Sequence, residues 1–275
     1  MRNAIVFSSL LGLGALLAMA RCEREPLRIA TYNIEDFPKS QLQVEHAFRT
    51  IAGLDAPVIA VQEILDRNAF ERAARTELGS RWKVTVGSDA RAVGLLYDSD
   101  RLRLRSSDEH AIGGRRVLEV RLERKRGEDL RVFVVHLKAG GRDTDVETRR
   151  VQLDKLAPIV ARAVAESDDE IVVLGDFNAT QAQDRQLLRR FAARTGLRWS
   201  SESLECTAYW SRRGGDDGLE LEDCIGTALD HVFTRSPARA IGAKGLCEDL
   251  GCDGGLICPV SRFLVSDHCP VLTEI

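Results

Sequence analysis

The stretch VVLGDFNAT, residues 172–180, has the composition of a buried strand that ends abruptly in polar groups. Its apolar residues run directly into Gly175, Asp176, Phe177 and Asn178. Because side chains two positions apart on an extended chain point to the same side, Asp176 and Asn178 can converge on one small object. This stretch therefore predicts a strand that carries a binding site at its end.

Strand-like and helix-like segments alternate around this stretch, with no repeat and no low-complexity linker. Helices are predicted near 42–54, 146–165 and 184–194, the first with Ser40 as a candidate cap. Apolar segments with strand character include 27–34, 56–64, 130–137 and 229–234. Hairpin-like strands mixed with strand–helix–strand units indicate a mixed-sheet α/β protein with its helices outside. The sequence shows no domain boundary, so residues 21–275 are predicted to form one domain.

The overall charge places a limit on the class of partner. The chain has 275 residues, 44% of them hydrophobic, and a formal net charge of −3. A protein of this charge has no cationic field over its whole surface, so binding a polyanion needs a local basic patch.

The N-terminus has the pattern of a secretory signal peptide. A basic start precedes an apolar run from Ala4 to Leu17, and Ala18-Met19-Ala20 form a small-x-small cleavage site. Residues 1–20 are therefore predicted to be a signal peptide, and the mature protein is expected to be secreted or periplasmic without stable membrane insertion. An uncleaved anchor is the alternative. Cys22 invites a lipoprotein interpretation, but Arg21 stands where lipidation requires a small residue.

Six cysteines lie in the last quarter of the chain, at positions 206, 224, 247, 252, 258 and 269. In an exported protein an even number of cysteines indicates disulfides. Zinc is the alternative, but the spacings contain no CxxC pair. We expect Cys206–Cys224 to staple the glycine-rich loop between them and the other four cysteines to pair among themselves.

Polar residues of chemically useful types follow several of the apolar strands. They are Asn33, Glu63, His136, Asp176, Asn178, Asp230, His231, Asp267 and His268. Carboxylate and amide oxygens are the donors that Mg²⁺ prefers, and a His beside an Asp forms an acid/base pair. Each residue alone has a structural explanation, such as a helix cap or a satisfied core histidine. So many groups that are costly to desolvate, all at strand ends, favour a catalytic site.

The motifs around these residues resemble a known superfamily. TYNI (31–34), VQEI (61–64), VVHL (134–137), GDFNA (175–179), LDHVF (229–233) and SDHCPV (266–271) stand in the order typical of the endonuclease/exonuclease/phosphatase superfamily. The chain looks like a secreted bacterial-type member with a deoxyribonuclease I-like fold. The resemblance implies a four-layer α-β-β-α sandwich, in which two mixed sheets pack together and helices cover both outer faces.

The same resemblance implies roles for the strand-end residues. Glu63 is similar to the main Mg²⁺ ligand, with Asn33 and Asp267 near the metal, and Mn²⁺ or Ca²⁺ are alternative cofactors. Asp176 resembles the residue that orients or deprotonates the attacking water. Asn178 would hold the phosphoryl group or that water.

Two histidines complete the implied machinery. His268 resembles the catalytic histidine that faces the phosphate, and Asp230 resembles its carboxylate partner. His136 resembles a second histidine that stabilises phosphate oxygens or assists the leaving group. Its own partner is not identified, because Arg91 aligns where relatives carry a carboxylate, and Asp89 fits only after a shift.

Three further residues have open assignments. Arg116 and Arg149 lie where relatives often have arginines that contact phosphate or support the site, and we predict that they bind substrate. A solvated surface arginine is the alternative for each. His231 is either a supporting residue of the site or a structural one.

The leading hypothesis is a secreted, Mg²⁺-dependent phosphodiesterase, an endonuclease that hydrolyses nucleic acid as a monomer. A phosphatase or phosphodiesterase that acts on small phosphorylated molecules or phospholipid headgroups is the alternative. A non-catalytic binding module that retains the fold is an alternative of another class.

Overall fold

The computed structural model describes residues 26–125, 127–211, 224–252 and 264–275. The predicted signal peptide lies outside the described residues, as do Cys22 and Cys258.

Fourteen strands are found in the described part of the chain. They are β1 (Arg28–Phe37), β2 (Val58–Ile64), β3 (Trp82–Val86), β4 (Ala92–Asp98), β5 (Leu102–Ala111), β6 (Arg116–Arg124), β7 (Leu130–His136), β8 (Glu170–Asp176), β9 (Arg198–Trp199), β10 (Ala208–Ser211), β11 (Cys224–Thr227), β12 (Asp230–Thr234), β13 (Ala240–Ala243) and β14 (Val271–Glu274). The helices of the same residues are α1 (Gln41–Gly53), α2 (Arg67–Ala73), α3 (Asp143–Glu166), α4 (Ala182–Thr195) and α5 (Leu246–Leu250), and α2 continues into a π-helical turn (Ala74–Leu78).

The strands form two six-stranded sheets and one hairpin. The first sheet has the order β13-β14-β1-β2-β4-β3, and the second has the order β5-β6-β7-β8-β12-β9. Each sheet is mixed, because β1 pairs with β2 and β7 with β8 in parallel while their other neighbours are antiparallel. Strands β10 and β11 form a separate antiparallel hairpin.

Three apolar cores separate four layers. Alternate residues of the two sheets meet in a central core, which includes Ile29, Leu95, Val132 and Leu174. The outer face of the first sheet packs on α1 and α2 through residues such as Phe48 and Phe70, which are fully buried. The outer face of the second sheet packs on α3 and α4 in the same way. The predicted α-β-β-α sandwich is therefore confirmed.

Local chemistry fixes the ends of the helices that cover the sheets. Helix α1 begins after Ser40, whose hydroxyl accepts a hydrogen bond from the backbone N–H of Gln43, as predicted from the sequence. Helix α4 ends at Gly196, which has the left-handed conformation that glycine adopts without steric penalty.

Gly175 is required by the close approach of two strands. Its φ of 142° lies outside the range of most L-residues, and a Cβ atom there would lie 2.1 Å from the carbonyl oxygen of Val135. Any side chain at this position would therefore push β7 and β8 apart directly beneath Asp176.

The disulfides differ from the predicted pairing. Cys206 is bonded to Cys252, and Cys247 to Cys269. Cys224 is also disulfide-bonded, but not to Cys206. The predicted Cys206–Cys224 bridge was wrong because the hairpin register places Cys224 opposite Ser211, roughly 16 Å along the strand from Cys206.

Candidate active site

The second sheet presents three of the predicted residues side by side. His136 and Asp176 are register partners at the ends of the parallel strands β7 and β8, and Asp230 at the start of β12 is the antiparallel partner of Asp176. All three side chains are at least 97% buried, since their exposed fractions are 3%, 1% and 0%. The pairing of three adjacent strands therefore places an imidazole and two carboxylates at one level of the sheet.

The first sheet contributes Asn33 from β1 and Glu63 from β2. Regular pairing of these parallel strands stops at Asn33 and Gln62, and the register then shifts. Glu63 follows with a positive φ of 66°, which is strained for a residue with a side chain. The irregularity turns the carboxylate of Glu63 towards the second sheet.

Asn33 links the acidic groups of the two sheets. Its Nδ2 atom donates to Oε1 of Glu63 at 3.2 Å and to Oδ2 of Asp176 at 3.0 Å. The same Nδ2 atom lies 3.5 Å from Nε2 of His268. Its Oδ1 atom accepts the backbone N–H of Glu35 at 2.9 Å. Two carboxylates that are 143 and 30 residues away from Asn33 in sequence therefore meet at one amide group.

Asp176 is buried and fully hydrogen-bonded. The backbone N–H of Asn178 donates to its Oδ1 at 2.8 Å, and Nδ2 of Asn178 donates to its Oδ2 at 3.0 Å. Burial raises the pKa of Asp176, while the neighbouring His268 and His136 act in the opposite direction. The left-handed backbone of Asn178, with φ of 50°, brings its carboxamide back over Asp176. The two residues therefore converge as predicted, but through the left-handed turn at Asn178 and not through the alternation of an extended chain.

His268 and Asp230 form a buried pair. Nδ1 of His268 lies 2.7 Å from Oδ2 of Asp230, which leaves Nε2 facing the crevice, 3.8 Å from Oδ2 of Asp176. Burial alone would lower the pKa of His268, but the negative charges of Asp230, Asp267 and Asp176 raise it well above its ordinary value. The imidazole is therefore held as a cation.

His136 lies in the same crevice but in a different environment. Its Nε2 atom is 3.6 Å from Oε1 of Glu63 and 3.6 Å from Oδ2 of Asp176. Burial lowers the pKa of His136, and the nearby acids offset this only in part. Its Nδ1 atom has no hydrogen-bond partner among the described residues. The two histidines are therefore electrostatically distinct.

Neither Arg91 nor Asp89 is the missing partner of His136. Arg91 binds Asp36 at 2.8 Å and Oε2 of Glu63 at 2.9 Å. Asp89 accepts the backbone N–H of Arg116 at 2.8 Å. Arg91 therefore pairs with Glu63 and Asp36, and neither aligned residue reaches Nδ1 of His136.

Asp267 lies beside His268 at the edge of the crevice. Its Oδ1 atom is 3.7 Å from Nε2 of His268, and its backbone N–H donates to Oε2 of Glu35 at 3.0 Å. The side chain of Asp267 is 31% exposed, more than the other acids of the crevice. It is therefore placed at the solvent side of the site.

A family model described as "Endonuclease/Exonuclease/phosphatase family" matches residues 30–268. The chain belongs to this family. The match includes every strand end described above, from Asn33 to His268. As a family member, the protein is a metal-dependent phosphoric-ester hydrolase.

Solved structures have the same fold at low sequence identity. TDP2 from D. rerio, complexed with a single-strand DNA product, is 15% identical with a TM-score of 0.66, and 90% of this chain and 98% of that chain are covered. The human Nocturnin catalytic domain, with a bound sulfate anion, is 16% identical with a TM-score of 0.67 and coverages of 90% and 92%. A mannosyl-6-phosphatase from Bacteroides thetaiotaomicron is 14% identical with a TM-score of 0.67 and coverages of 90% and 99%. At this identity the similarity establishes the fold alone. No curated protein sequence matches the chain.

The donor set of the crevice fits the divalent metal of the family. Glu63, His136 and Asp176 bring one potential ligand atom each to within 4.8 Å of one another. The acids are buried or nearly so, and a hard cation would offset the repulsion between them. Asn33 presents its amide nitrogen to them, so its oxygen would bind a metal only after the amide turns over. Carboxylate oxygens are therefore the principal donors at this site.

Arg116 lies on the face that carries His136. The register that pairs Leu118 with Val134 puts Arg116 opposite His136 in the neighbouring strand. Its side chain is 46% exposed, and its Nε atom is 3.7 Å from Oδ1 of Asp89. The neighbouring Arg115, which was not singled out in the sequence, is close enough for its charge to lower the pKa of His136. Both arginines are therefore associated with His136, Arg116 through the strand register and Arg115 through its charge.

Arg149 does not fit the predicted substrate-binding role. Its guanidinium binds both oxygens of Asp184 at 2.7 Å and donates to the carbonyls of Lys138 and Gly140 at 2.8 and 2.7 Å. Its side chain is 1% exposed. The guanidinium joins α3 to α4 and to the loop after β7 through these hydrogen bonds. Because it is buried in these contacts, it is not accessible to a ligand. Lys138 pairs with Asp145 in the same region.

His231 points away from the crevice. As the neighbour of Asp230 in β12 it faces the opposite side of the sheet, where its ring packs against Phe177 and Trp199. Trp199 Nε1 donates to Nδ1 of His231 at 3.3 Å. Burial, with a smaller effect from the charge of Arg185, lowers the pKa of His231 to about 3. Of the two roles left open, the structural one fits this environment.

No described helix combines the length and apolar character needed to cross a membrane.

Proposed function

We propose that this protein is an exported, Mg²⁺-dependent phosphodiesterase that hydrolyses nucleic-acid phosphodiester bonds as an endonuclease. The observation that supports this most directly is the meeting of Asp176 with the Asp230–His268 pair and with Asn33 and Glu63. Such a site supplies a water-orienting carboxylate, a cationic hydrogen-bond donor and a metal-binding acid within one crevice.

Glu63 would be the main metal ligand, with Asp267 and Asn33 at the edge of the coordination shell. When bound there, Mg²⁺ would supply Lewis-acid stabilisation of the charge on the phosphate. Arg91 keeps Oε2 of Glu63 engaged, so Oε1 is the oxygen that faces the crevice. Mn²⁺ or Ca²⁺ could take the same oxygen donors.

Asp176 would orient the attacking water and accept its proton. Burial raises its pKa, which makes it a better base than an exposed carboxylate. Asn178 and Asn33 both donate to Oδ2 of Asp176 and fix the direction of that oxygen. The water would lie on the side of Asp176 that faces the two histidines.

His268 would donate a hydrogen bond from Nε2 to a non-bridging phosphate oxygen and keep its proton. The Asp230 carboxylate binds Nδ1, so the tautomer and the ring orientation are fixed before substrate arrives. His136 would hydrogen-bond a second phosphate oxygen or the leaving oxygen through Nε2. Arg116 would bind a phosphate of the substrate from the rim, because a guanidinium pairs well with phosphate oxygens.

Export is supported by the disulfides. Cys206–Cys252 and Cys247–Cys269 join segments on the C-terminal side of Asp176, and disulfides persist in oxidising compartments. Together with the apolar N-terminal run, they favour a secreted or periplasmic monomer whose signal peptide has been removed.

The test uses mature protein with its disulfides formed. Plasmid DNA, RNA, bis-p-nitrophenyl phosphate and small phosphomonoesters are each incubated with Mg²⁺ or with EDTA. Nicking of plasmid that requires the metal supports the endonuclease. Phosphate release only from small monoesters would replace it with the phosphatase alternative. Binding without turnover of any ester would indicate a non-catalytic module.

A further inference from the structure

Thr207 contacts the carboxylate of the buried Asp230–His268 pair and has no role in the mechanism above. It is fully buried, with an exposed fraction of 0%. Its Oγ1 accepts the backbone N–H groups of Leu229 and Asp230, both at 2.9 Å. The same hydroxyl lies 2.8 Å from Oδ2 of Asp230. Because two N–H donors already point at this oxygen, its own proton has one direction left, towards the carboxylate.

Few hydrogen bonds hold the carboxylate of Asp230 in its orientation. Oδ2 receives both the Thr207 hydroxyl and Nδ1 of His268, whereas Oδ1 has no hydrogen-bond partner among the described residues. Nothing else in that part of the chain is seen to fix the rotation of this side chain. The hydroxyl of Thr207 is therefore placed to hold Oδ2 of Asp230 in the position where it binds Nδ1 of His268.

The backbone of Thr207 is attached to the segment that carries His268. The carbonyl oxygen of Thr207 accepts the N–H of Cys269 at 2.7 Å, and the N–H of Tyr209 donates to the carbonyl of Asp267 at 2.8 Å. Disulfides join Cys206 to Cys252 and Cys247 to Cys269. One residue thus binds Asp230 with its side chain and the His268 segment with its main chain.

We propose that Thr207 is a positioning residue for hydrolysis: its hydroxyl holds the Asp230 carboxylate so that His268 presents Nε2 to the phosphate. The inference rests on the proposed catalytic function of the Asp230–His268 pair. Without the hydroxyl, the carboxylate loses the donor that fixes its rotation, and the imidazole loses a fixed direction. Binding of substrate at the metal and the rim arginines is untouched.

The experiment compares three threonine variants on bis-p-nitrophenyl phosphate with saturating Mg²⁺. Thr207→Val removes the hydroxyl at nearly constant volume, and Thr207→Ser retains it. Thr273→Val is the matched control, because Thr273 is also buried and its hydroxyl has no hydrogen-bond partner among the described residues.

We expect Thr207→Val to lower kcat by between about 10-fold and 100-fold, the effect of losing the hydrogen bond to the charged Asp230, with KM within about twofold of wild type. The variant also removes the acceptor of the N–H groups of Leu229 and Asp230, which Thr207→Ser retains. Thr207→Ser should retain kcat within about threefold, and Thr273→Val should match wild type. Should Thr207→Val fail to fold, Thr207→Ala removes the same hydroxyl and is judged by the same criteria.

A second readout does not depend on turnover. In protein labelled with ¹⁵N-histidine, the Nδ1–H signal of His268 should be sharp in wild type and in Thr207→Ser. In Thr207→Val the signal should broaden, or the Nδ1 proton should exchange faster with water. This signal separates the two ideas: a wild-type protein that hydrolyses no ester but shows the predicted change refutes the proposed function and not the positioning of the pair.

Three results would overturn the role of Thr207. The first is wild-type kcat in Thr207→Val. The second is equal loss in the serine and valine variants, which would indicate packing rather than the hydroxyl. The third is an unchanged His268 signal in Thr207→Val.

Discussion

Arg91 and Glu63 form an ion pair at the lip of the crevice, with Nη1 of Arg91 2.9 Å from Oε2 of Glu63. The other oxygen of Glu63 faces Asn33. Burial would raise the pKa of Glu63, but the charge of His136, the hydrogen bond from Asn33 and the charge of Arg91 together lower it. The carboxylate is thus ionised and directed before any metal arrives.

Glu63→Gln should abolish the stabilisation of the protein by Mg²⁺. A ligand that binds only the folded state stabilises it by about 2.7 kcal/mol at 100 times its Kd, and Glu63 is the expected principal donor. Thermal unfolding with and without Mg²⁺ measures the effect. Glu45→Gln, on the exposed side of α1, is the control and should keep the full Mg²⁺ shift. An equal shift in both variants would place the metal elsewhere.

Asp176→Asn and His268→Ala should each lower turnover by at least about a hundredfold, because each removes a group that acts on the water or the phosphate. Circular dichroism should show an intact fold for both variants. The roles assigned to these residues would be wrong if either variant hydrolysed the substrate at the wild-type rate.

His231 should make stability depend on pH between its unfolded and folded pKa values. In the folded state its pKa is lowered to about 3, whereas an unfolded histidine titrates near 6.5. The contribution of the neutral His231 to the free energy of unfolding is therefore fully present above pH 6.5. It is lost as the pH falls towards 3, because in that range only the unfolded state takes up the proton.

Urea unfolding at pH 7 and pH 5 can measure this contribution. Between pH 7 and pH 5, the free energy of unfolding of wild type should fall by about 2 kcal/mol more than that of His231→Phe. The expected slope is about 1.4 kcal/mol per pH unit below pH 6.5. His46→Gln is the control, because His46 is exposed on α1, and it should behave as wild type does. Parallel pH curves for wild type and His231→Phe would refute the buried neutral histidine.

Replacement by methionine should lower the stability of the protein at Arg149 and weaken substrate binding at Arg116. Arg149→Met breaks a buried ion pair and leaves Asp184 uncompensated, so we expect a loss of about 3–5 kcal/mol in the free energy of unfolding. Arg116→Met should leave stability within about 0.5 kcal/mol and raise KM for a phosphodiester. Denaturant unfolding and initial rates provide the two measurements. A raised KM with unchanged stability in Arg149→Met would restore its substrate-binding role.

Trp210 should contribute to binding of nucleic acid. It is 45% exposed, and it lies two residues along β10 from Ala208, which is bridged to His268. Alternation along the strand puts Trp210 on the same side as Ala208. Because opposed residues of antiparallel strands share a face, Trp210 is also on the side of His268. We expect Trp210→Ala to raise KM for single-stranded DNA about tenfold, through the loss of base stacking. The KM for bis-p-nitrophenyl phosphate, which reaches only the central site, should not change.

The sequence was sufficient for the layers of the fold and for the residues at the strand ends. Apolar periodicity identifies a strand such as β8, and the polar residue that terminates it is visible in the same stretch. Asp176 and Asn178 illustrate this, although their convergence depends on the left-handed backbone of Asn178, which the apolar pattern does not encode. The four-layer arrangement and the family followed from the motifs.

Interactions between distant segments could not be predicted in the same way. Arg149 aligns with site arginines, but its burial depends on Asp184, which lies 35 residues later. The partner of Cys206 depends on the register of a hairpin that the cysteine spacing does not encode. Thr207 carries no motif, and Arg91 stood out only as a departure from the pattern of the family. Their contacts with Asp230 and Glu63 reveal what they do.

The pairing of β14 with β1 also determines when the enzyme can become active. Arg28 pairs with Glu274, so the first described strand receives its neighbour only after the last described strand has been made. His268 and Asp267 lie just ahead of that strand. A partly synthesised or proteolysed chain that stops before residue 267 would hold Glu63 and Asp176 but lack the cationic histidine. We therefore expect fragments that stop before residue 267 to hydrolyse no phosphate ester, so that such a fragment cannot attack those of the cell that makes it.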